Sequence, residues 1–129
     1  MKVYIASKYI EHKELNNNIY TALAKAGINA FLPKSINIDA LTKDEMYTVA
    51  EICYDEIERC DVILVVCPFG KSVSSEFGYA IALKRVCQAK KRIVAMNLDF
   101  FDEAMIYPYV DKTVNSILEL ITYLKEFAE

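Results

Sequence analysis

From Val62 to Val66 the chain reads Val-Ile-Leu-Val-Val, an apolar run with no polar interruption, entered at Asp61 and left at Cys67-Pro68. A strand with one wet face alternates apolar and polar residues. An unbroken, mostly β-branched run of this length predicts a strand covered on both faces, which requires helices above and below and parallel neighbours. The preceding sequence supplies them. Lys2-Val-Tyr-Ile-Ala-Ser7 reads as a first strand, and Leu15, Ile19, Ala22, Leu23 and Ala26 recur at helical spacing. Gly27 then closes the helix as a C-cap glycine, and Ile28-Asn-Ala-Phe-Leu-Pro33 is a second strand stopped by proline. Strand, helix, strand in this order implies a right-handed parallel crossover.

The alternation continues. Residues 34 to 41 carry loop chemistry, and Thr42-Lys-Asp-Glu45 matches a capping box ahead of the apolar stripe Met46, Val49, Ala50, Cys53, Ile57 and Cys60. This predicts a helix to about Arg59. After the central strand and a turn over Pro68 to Ser72, a third helix is expected from about Ser74, carrying Phe77, Ala80, Ile81 and Val86. Arg92-Ile-Val-Ala-Met96 is a fourth strand. The irregular stretch Asn97 to Val110 leads to a short fifth strand near Thr113-Val114, and Ile117, Leu120, Ile121, Leu124 and Phe127 mark a final helix. Five strands and four helices predict an α/β, flavodoxin-like doubly wound five-stranded parallel sheet in the order 2-1-3-4-5, with helices on both faces. A length of 129 residues fits one domain spanning 1–129.

Composition narrows the function classes. No apolar run approaches the roughly 20 residues of a membrane-spanning helix, and Met1-Lys2 opens directly into a strand without a signal-peptide pattern, so no membrane association and a cytoplasmic location are expected. The net charge is −3, and the densest basic group, Lys84-Arg85 with Lys90-Lys91-Arg92, is short and interrupted. No nucleic-acid partner is expected from it, although local anion binding stays open. Cys53, Cys60, Cys67 and Cys87 form no CxxC pair and lie far in sequence from the single histidine, His12, so they read as small buried residues, and no metal is implied.

In a doubly wound sheet, ligands bind beyond the carboxyl ends of the strands, where strand order reverses. The loops there are Ser7-Lys8-Tyr9-Ile10-Glu11 and Cys67 to Glu76. The first has no GxGxxG fingerprint and no P-loop ending, which disfavours dinucleotide and triphosphate binding, and Val66-Cys67 stands where a phosphoacceptor aspartate would end the central strand. The second, Gly70-Lys71-Ser72-Val73-Ser74-Ser75-Glu76-Phe77-Gly78-Tyr79-Ala80, sets a carboxylate at the expected start of a helix, whose N-terminus would keep it ionised. Such a carboxylate can attack an anomeric carbon. It is also what simply complements a helix dipole, so residue type alone leaves both roles open. Gly78 inside a helix costs about 1 kcal/mol against alanine, which suits a close approach there.

Lys2-Val-Tyr-Ile-Ala-Ser7, Cys60-Asp61-Val-Ile-Leu-Val-Val66 and the serine-rich turn into Glu76-Phe77-Gly78-Tyr79-Ala80 together resemble the nucleoside 2-deoxyribosyltransferase family, which includes 2′-deoxynucleoside 5′-monophosphate N-glycosidases. The likeness covers most of the chain. It implies that Glu76 attacks C1′ of a deoxyribonucleoside, expels the base and forms a glycosyl-enzyme that a second base or water resolves. By the same resemblance Ser7, Lys8 and Tyr9 flank the base or sugar, with Tyr9 a possible stacking ring. Gly70, Ser72, Ser74 and Tyr79 line the substrate side of the turn, Ser72 and Ser74 offering hydroxyl or backbone donors.

The chain also departs from the family pattern. A helix aspartate that orients the nucleophile is replaced by Cys53. Asp55, two positions on, is a substitute catalytic carboxylate or, lying about 200° away around the helix, part of a solvated face. Asp61 opens the third strand and reads as structural. Gly70 stands where transferases often carry aspartate and the monophosphate branch serine. Glu103-Ala104-Met105-Ile106 resembles a segment that reaches into a neighbouring subunit's site, which places Glu103 and Met105 beside a substrate, and a carboxylate there favours a nucleoside over a 5′-phosphate. A homodimer or higher homo-oligomer is therefore implied, with Phe100, Phe101, Met105, Tyr107 and Tyr109 either forming its interface or closing the chain's own core.

The resulting expectation is transfer or hydrolysis of a 2-deoxyribosyl group, with a small-molecule nucleoside or nucleotide as partner and no metal or organic cofactor. Two other readings stay open. One is an NAD-cleaving enzyme, from a faint likeness of Ser-x-x-Ser-Glu to the catalytic glutamate region of TIR domains. The other is a nucleoside- or nucleotide-binding module that has lost part of its catalytic set.

Overall fold

The computed structural model describes residues 1–33, 42–99 and 101–128. Five strands, β1 (Lys2–Ala6), β2 (Asn29–Phe31), β3 (Val62–Val66), β4 (Arg92–Met96) and β5 (Lys112–Val114), form one sheet in the order β2-β1-β3-β4-β5, and every neighbouring pair is parallel. Four helices connect and follow them: α1 (Lys13–Lys25), α2 (Lys43–Arg59), α3 (Lys71–Val86) and α4 (Ile117–Ala128). The α/β doubly wound architecture and the strand order agree with the sequence reading. The loop expected over 34–41 and Phe100 lie outside the described residues.

Burial follows the pattern that suggested it. Every residue of β3 is buried, since both of its faces are covered. Alternation along β1 then divides the interior. Val3 and Ile5 join Ile19 and Leu23 of α1 and Leu120 and Leu124 of α4, whereas Tyr4 and Ala6 join Ile57 of α2 and Val73, Phe77, Ala80 and Ile81 of α3. Removing each large aliphatic side chain from water contributes about 1.5–3 kcal/mol, so both cores hold the sheet from opposite sides.

Element ends are fixed by local chemistry. After α1, Gly27 adopts φ +75°, its amide donates to Ala24 O at 3.0 Å, and the Ile28 amide donates to Leu23 O at 2.9 Å. That is a Schellman closure, with buried Ile28 and Leu23 as its apolar pair. Thr42 caps α2 by accepting from the Glu45 amide at 3.2 Å. At the far end of α2, Lys91 Nζ donates to the carbonyls of Glu58 and Cys60, both at 2.6 Å.

One boundary differs from the sequence reading with consequences for the site. Helix α3 begins at Lys71, directly after Gly70 as N-cap, and not near Ser74. The connection from β3 is only the four residues from Cys67 to Gly70, so Glu76 is the sixth residue of the helix. No helix among the described residues is long and apolar enough to cross a membrane.

Candidate active site

Helix α3 presents Val73, Phe77, Ala80 and Ile81 to the sheet. Glu76 lies three residues after Val73 and four before Ala80, so helical geometry carries its side chain along the edge of that buried stripe. There it meets Tyr4, whose side chain rises from the middle of β1 on the same face. The Tyr4 hydroxyl donates a short hydrogen bond to Glu76 Oε2. The phenol is held by stacking on Phe31 of β2, with centroids 5.4 Å apart and planes at 26°. Cys53 of α2 packs half-buried against the same cluster, close enough to Tyr4 and Glu76 for each to shift its thiol. Three elements thus bring a carboxyl, a phenol and a thiol together.

The electrostatics of this group are set by burial. Glu76 is pushed up from its usual 4.5 to about 7 by loss of water, and only the Tyr4 hydrogen bond opposes the rise. Tyr4 is raised far above its usual range by burial and then by the carboxylate beside it. Cys53 is raised by burial, against the lowering effect of the Tyr4 hydroxyl. The sequence expectation of a carboxylate held ionised by the helix N-terminus is therefore reversed. The free amides belong to the first turn of α3 and Glu76 is in the second, so desolvation outweighs the dipole. A carboxyl that titrates near neutrality can serve as an acid or, deprotonated, as a nucleophile.

The chain has the fold of the 2-deoxyribosyltransferases. The 2-deoxyribosyltransferase from Bacillus psychrosaccharolyticus superposes with TM-score 0.76 at 14% identity, covering 95% of this chain and 92% of that one. A 2-deoxyribosyltransferase from Leishmania mexicana gives TM-score 0.55 at 21% identity over 76% and 65% of the two chains. The Clostridium botulinum CMP N-glycosidase BcmB gives 0.59 at 16% over 98% and 99%. No protein-family model and no curated protein sequence matches the chain significantly.

On this fold the residues singled out from sequence divide into three groups. Ser7, Lys8 and Gly70 come together where strand order reverses. Ser7 Oγ lies 3.2 Å from His12 Nδ1, and the Lys8 side chain crosses the crevice to Gly70, where its Cε would be 3.5 Å from an added Cβ. Tyr9 stands half-buried in that loop, and Ser72 and Ser74 are exposed on the first turn of α3.

Asp55 and Tyr79 are placed elsewhere. Asp55 is exposed and contributes to the electrostatics of Tyr79, whereas Cys53 is the α2 residue beside Glu76; the alternative of a solvated Asp55 holds, as its helical phase requires. Tyr79 lies one turn further down α3, donates to Glu58 Oε1 at 2.6 Å and packs edge-on to Tyr54 at 4.9 Å. It ties α3 to α2, and the bond to Glu58 pushes its phenol up to about 12.

Glu103 and Met105 form the third group. Both are exposed in the turns before the short 3-10 helix Tyr107–Tyr109, and among the described residues neither is hydrogen-bonded to Glu76, Tyr4 or Cys53. Their aromatic neighbours split between the two expected roles. Tyr109 packs into the core beside α2 and α3, whereas Phe101 and Tyr107 meet edge-on at 5.7 Å on the surface.

Two groups escaped the sequence reading. Tyr4 is the one polar-tipped side chain in an otherwise apolar strand interior, and a buried phenol needs a partner. Asn16, 1% exposed, shares the inward phase of Ile19 and Leu23 and donates through Nδ2 to Lys8 O at 3.2 Å, pinning the first loop. Asp61, at the opposite edge, accepts from the Lys2 amide at 2.9 Å and is structural, as expected.

The basic group at that same edge is largely engaged within the protein. Lys84 pairs with Asp111 at 2.6 Å, Lys91 caps α2, and the Arg92 guanidinium lies 5.2 Å from the Phe127 ring centre. A surface groove runs along α1 past Ile10, Glu14 and Asn17, away from the clustered chemistry.

Gly70 permits a direct test of this geometry. It caps α3 with extended dihedrals, φ −111° and ψ −155°, and no side-chain cap. Gly70→Asp adds an acceptor for the first-turn amides and a negative charge beside Lys8. It is expected to raise stability by about 0.5–1 kcal/mol, measured by urea unfolding.

Proposed function

We propose that the protein cleaves the N-glycosidic bond of a 2′-deoxyribonucleoside with Glu76 as nucleophile and passes the deoxyribosyl group to another base or to water. One observation carries this reading: a half-buried carboxyl, hydrogen-bonded by a phenol, on the α2/α3 side of a sheet whose fold neighbours are 2-deoxyribosyltransferases and a CMP N-glycosidase. A Glu76 oxygen forms a bond to C1′ as the C1′–N bond breaks. The base leaves with the electron pair and takes up a proton. An acceptor nitrogen or water then attacks C1′ from the opposite face, the ester bond breaks, and Glu76 returns as carboxylate after a double inversion.

The Tyr4 hydroxyl holds the attacking oxygen in line and, by lowering its proton affinity, keeps more of it ionised. Tyr4→Phe is expected to raise the Glu76 midpoint by about one pH unit and lower turnover at pH 7 about fivefold, read from a pH–rate profile. A nucleoside is favoured over a monophosphate because Glu103 is exposed and, among the described residues, in no ion pair. Exposed Phe101, Met105 and Tyr107 support a homo-oligomer that covers this segment.

The test is chromatographic detection of free base from deoxynucleosides, their monophosphates and NAD, with and without an acceptor base. Release or exchange from deoxynucleosides supports the proposal. Release from NAD alone moves the substrate to the NAD-cleaving reading. Ligand binding with no turnover on any substrate overturns the enzyme reading in favour of a binding module.

A further inference from the structure

Helix α1 turns Ile19 and Leu23 toward the sheet, and one polar side chain, Asn16, shares that buried face at 1% exposure. The two ends of its amide fare differently. Nδ2 donates to Lys8 O at 3.2 Å, whereas Oδ1 is buried and has no partner among the described residues. An orphaned buried acceptor costs about as much as a hydrogen bond contributes, so stability alone does not account for an asparagine here. What the amide holds is Lys8. The Lys8 carbonyl accepts from Asn16 Nδ2 and from the His12 amide, both at 3.2 Å, and His12 O in turn accepts from the Asn16 amide at 2.8 Å. The root of Lys8 is thereby fixed to α1. Its side chain reaches away to Gly70, the N-cap of the helix that carries Glu76, with Cε 3.5 Å from where a Cβ would stand. Resting on the function proposed above, we propose that Asn16 is a positioning residue for substrate binding: by anchoring the Lys8 carbonyl it directs the lysine across the crevice beside Gly70, where the ammonium meets the nucleoside.

The surroundings suit that role. Lys8 takes part in none of the ion pairs among the described residues, so its long side chain takes its direction from its backbone. Ser7 Oγ and His12 Nδ1, 3.2 Å apart, close the same turn, but both residues are half-buried and water can replace that bond. Asn16 is the anchor that water does not reach. An ammonium donates and never accepts, so it selects an acceptor atom of the ligand, a base carbonyl or a sugar oxygen. Holding the root of the chain beforehand adds affinity, because less freedom is lost when the ligand arrives. The bond between Tyr4 and Glu76 lies on the other face of the sheet, with α2 and α3, and does not depend on this anchor. Asn16 therefore bears on KM and not on kcat.

The experiment compares the full chain with Asn16→Leu, which keeps the volume and removes the donor, and with Asn16→Ala, which fits wherever asparagine does. A nuclear Overhauser contact between Lys8 Hε and Gly70 Hα is expected in the native protein and is expected to vanish in both variants. Urea unfolding is expected to find Asn16→Leu at least as stable as the native protein, since the orphaned acceptor is gone. In the base-release assay KM is expected to rise about tenfold in both variants, with kcat unchanged to within about twofold. In a Lys8→Met background the Asn16 substitutions are expected to add nothing to KM, because the amide acts through the lysine. An Overhauser contact that persists in both variants overturns the proposal. So does an equal rise in KM with and without the Lys8 ammonium, or a loss of stability in Asn16→Leu with kcat falling as KM rises, either of which would mark Asn16 as a core residue alone. The contact is read without turnover, so failure of the N-glycosidic reading in the base-release assay is seen separately from failure of the anchor.

Discussion

Glu76→Gln is expected to lower base release by about 10⁴-fold or more while making the folded protein more stable above neutral pH. The loss follows from chemistry: an amide cannot form the glycosyl ester, and removing a nucleophile that acts with its orienting partners costs most of the rate. The gain follows from burial. Glutamine keeps an acceptor for the Tyr4 hydroxyl and carries no charge to desolvate. Glu76 titrates at about 7 in the fold against 4.5 when exposed, so between those values the folded chain holds a proton that the unfolded chain has released. The stability contributed by Glu76 is full below about 4.5 and is lost as pH rises to about 7. A difference of that size corresponds to on the order of 3 kcal/mol. At pH 8 the variant is expected to melt about 10 °C higher than the native protein, and at pH 4 the two should coincide. Calorimetry at the two pH values, beside the base-release assay, checks both halves. A variant that keeps its turnover removes Glu76 from the chemistry, and equal melting at pH 8 shows that the carboxylate is not desolvated.

The second large effect is on pH dependence. Only the carboxylate form of Glu76 attacks C1′, so turnover should rise with pH, reach half its limit at about 7 and flatten above. Well below that point the rate falls about tenfold per unit, so moving from pH 7, where half the limit is left, to pH 5 should cost about fiftyfold. An ordinary exposed glutamate would leave the rate level down to about pH 5. Initial rates from pH 5 to 9 in buffers of constant ionic strength decide between them. A level profile over this range would mean that the site opens to water when substrate binds.

The fold was readable because its signals are local and repetitive. Val62 to Val66 announced a doubly covered strand, Gly27 a helix end and Thr42 a helix start, and each is where the chain puts it. The start of α3 was misjudged because Lys71 and Ser72 read equally as turn residues, and what decides is the unpaired cap at Gly70. That shift of one turn reversed the expected ionisation of Glu76. Glu76 itself was visible as a carboxylate at the switch region, but its partners were not. Tyr4 lies 72 residues earlier and Cys53 on another helix, and no periodicity links residues that meet only across a sheet. Asp55 drew attention as a carboxylate near the right place, and helical phase, which weighs more than chemical likeness two positions away, turned it to solvent.

The alternation along β1 has a consequence for how this chain can change in evolution. Val3 and Ile5 serve one core while Tyr4 serves the other and steadies Glu76, so the strand's parity encodes the site. Slipping β1 by one residue against β3 would send the phenol to the α1/α4 side and leave the carboxyl facing an aliphatic side chain. Substitution can tune this protein gradually, but adding or removing a single residue within the strand would unmake its packing and its chemistry in the same event.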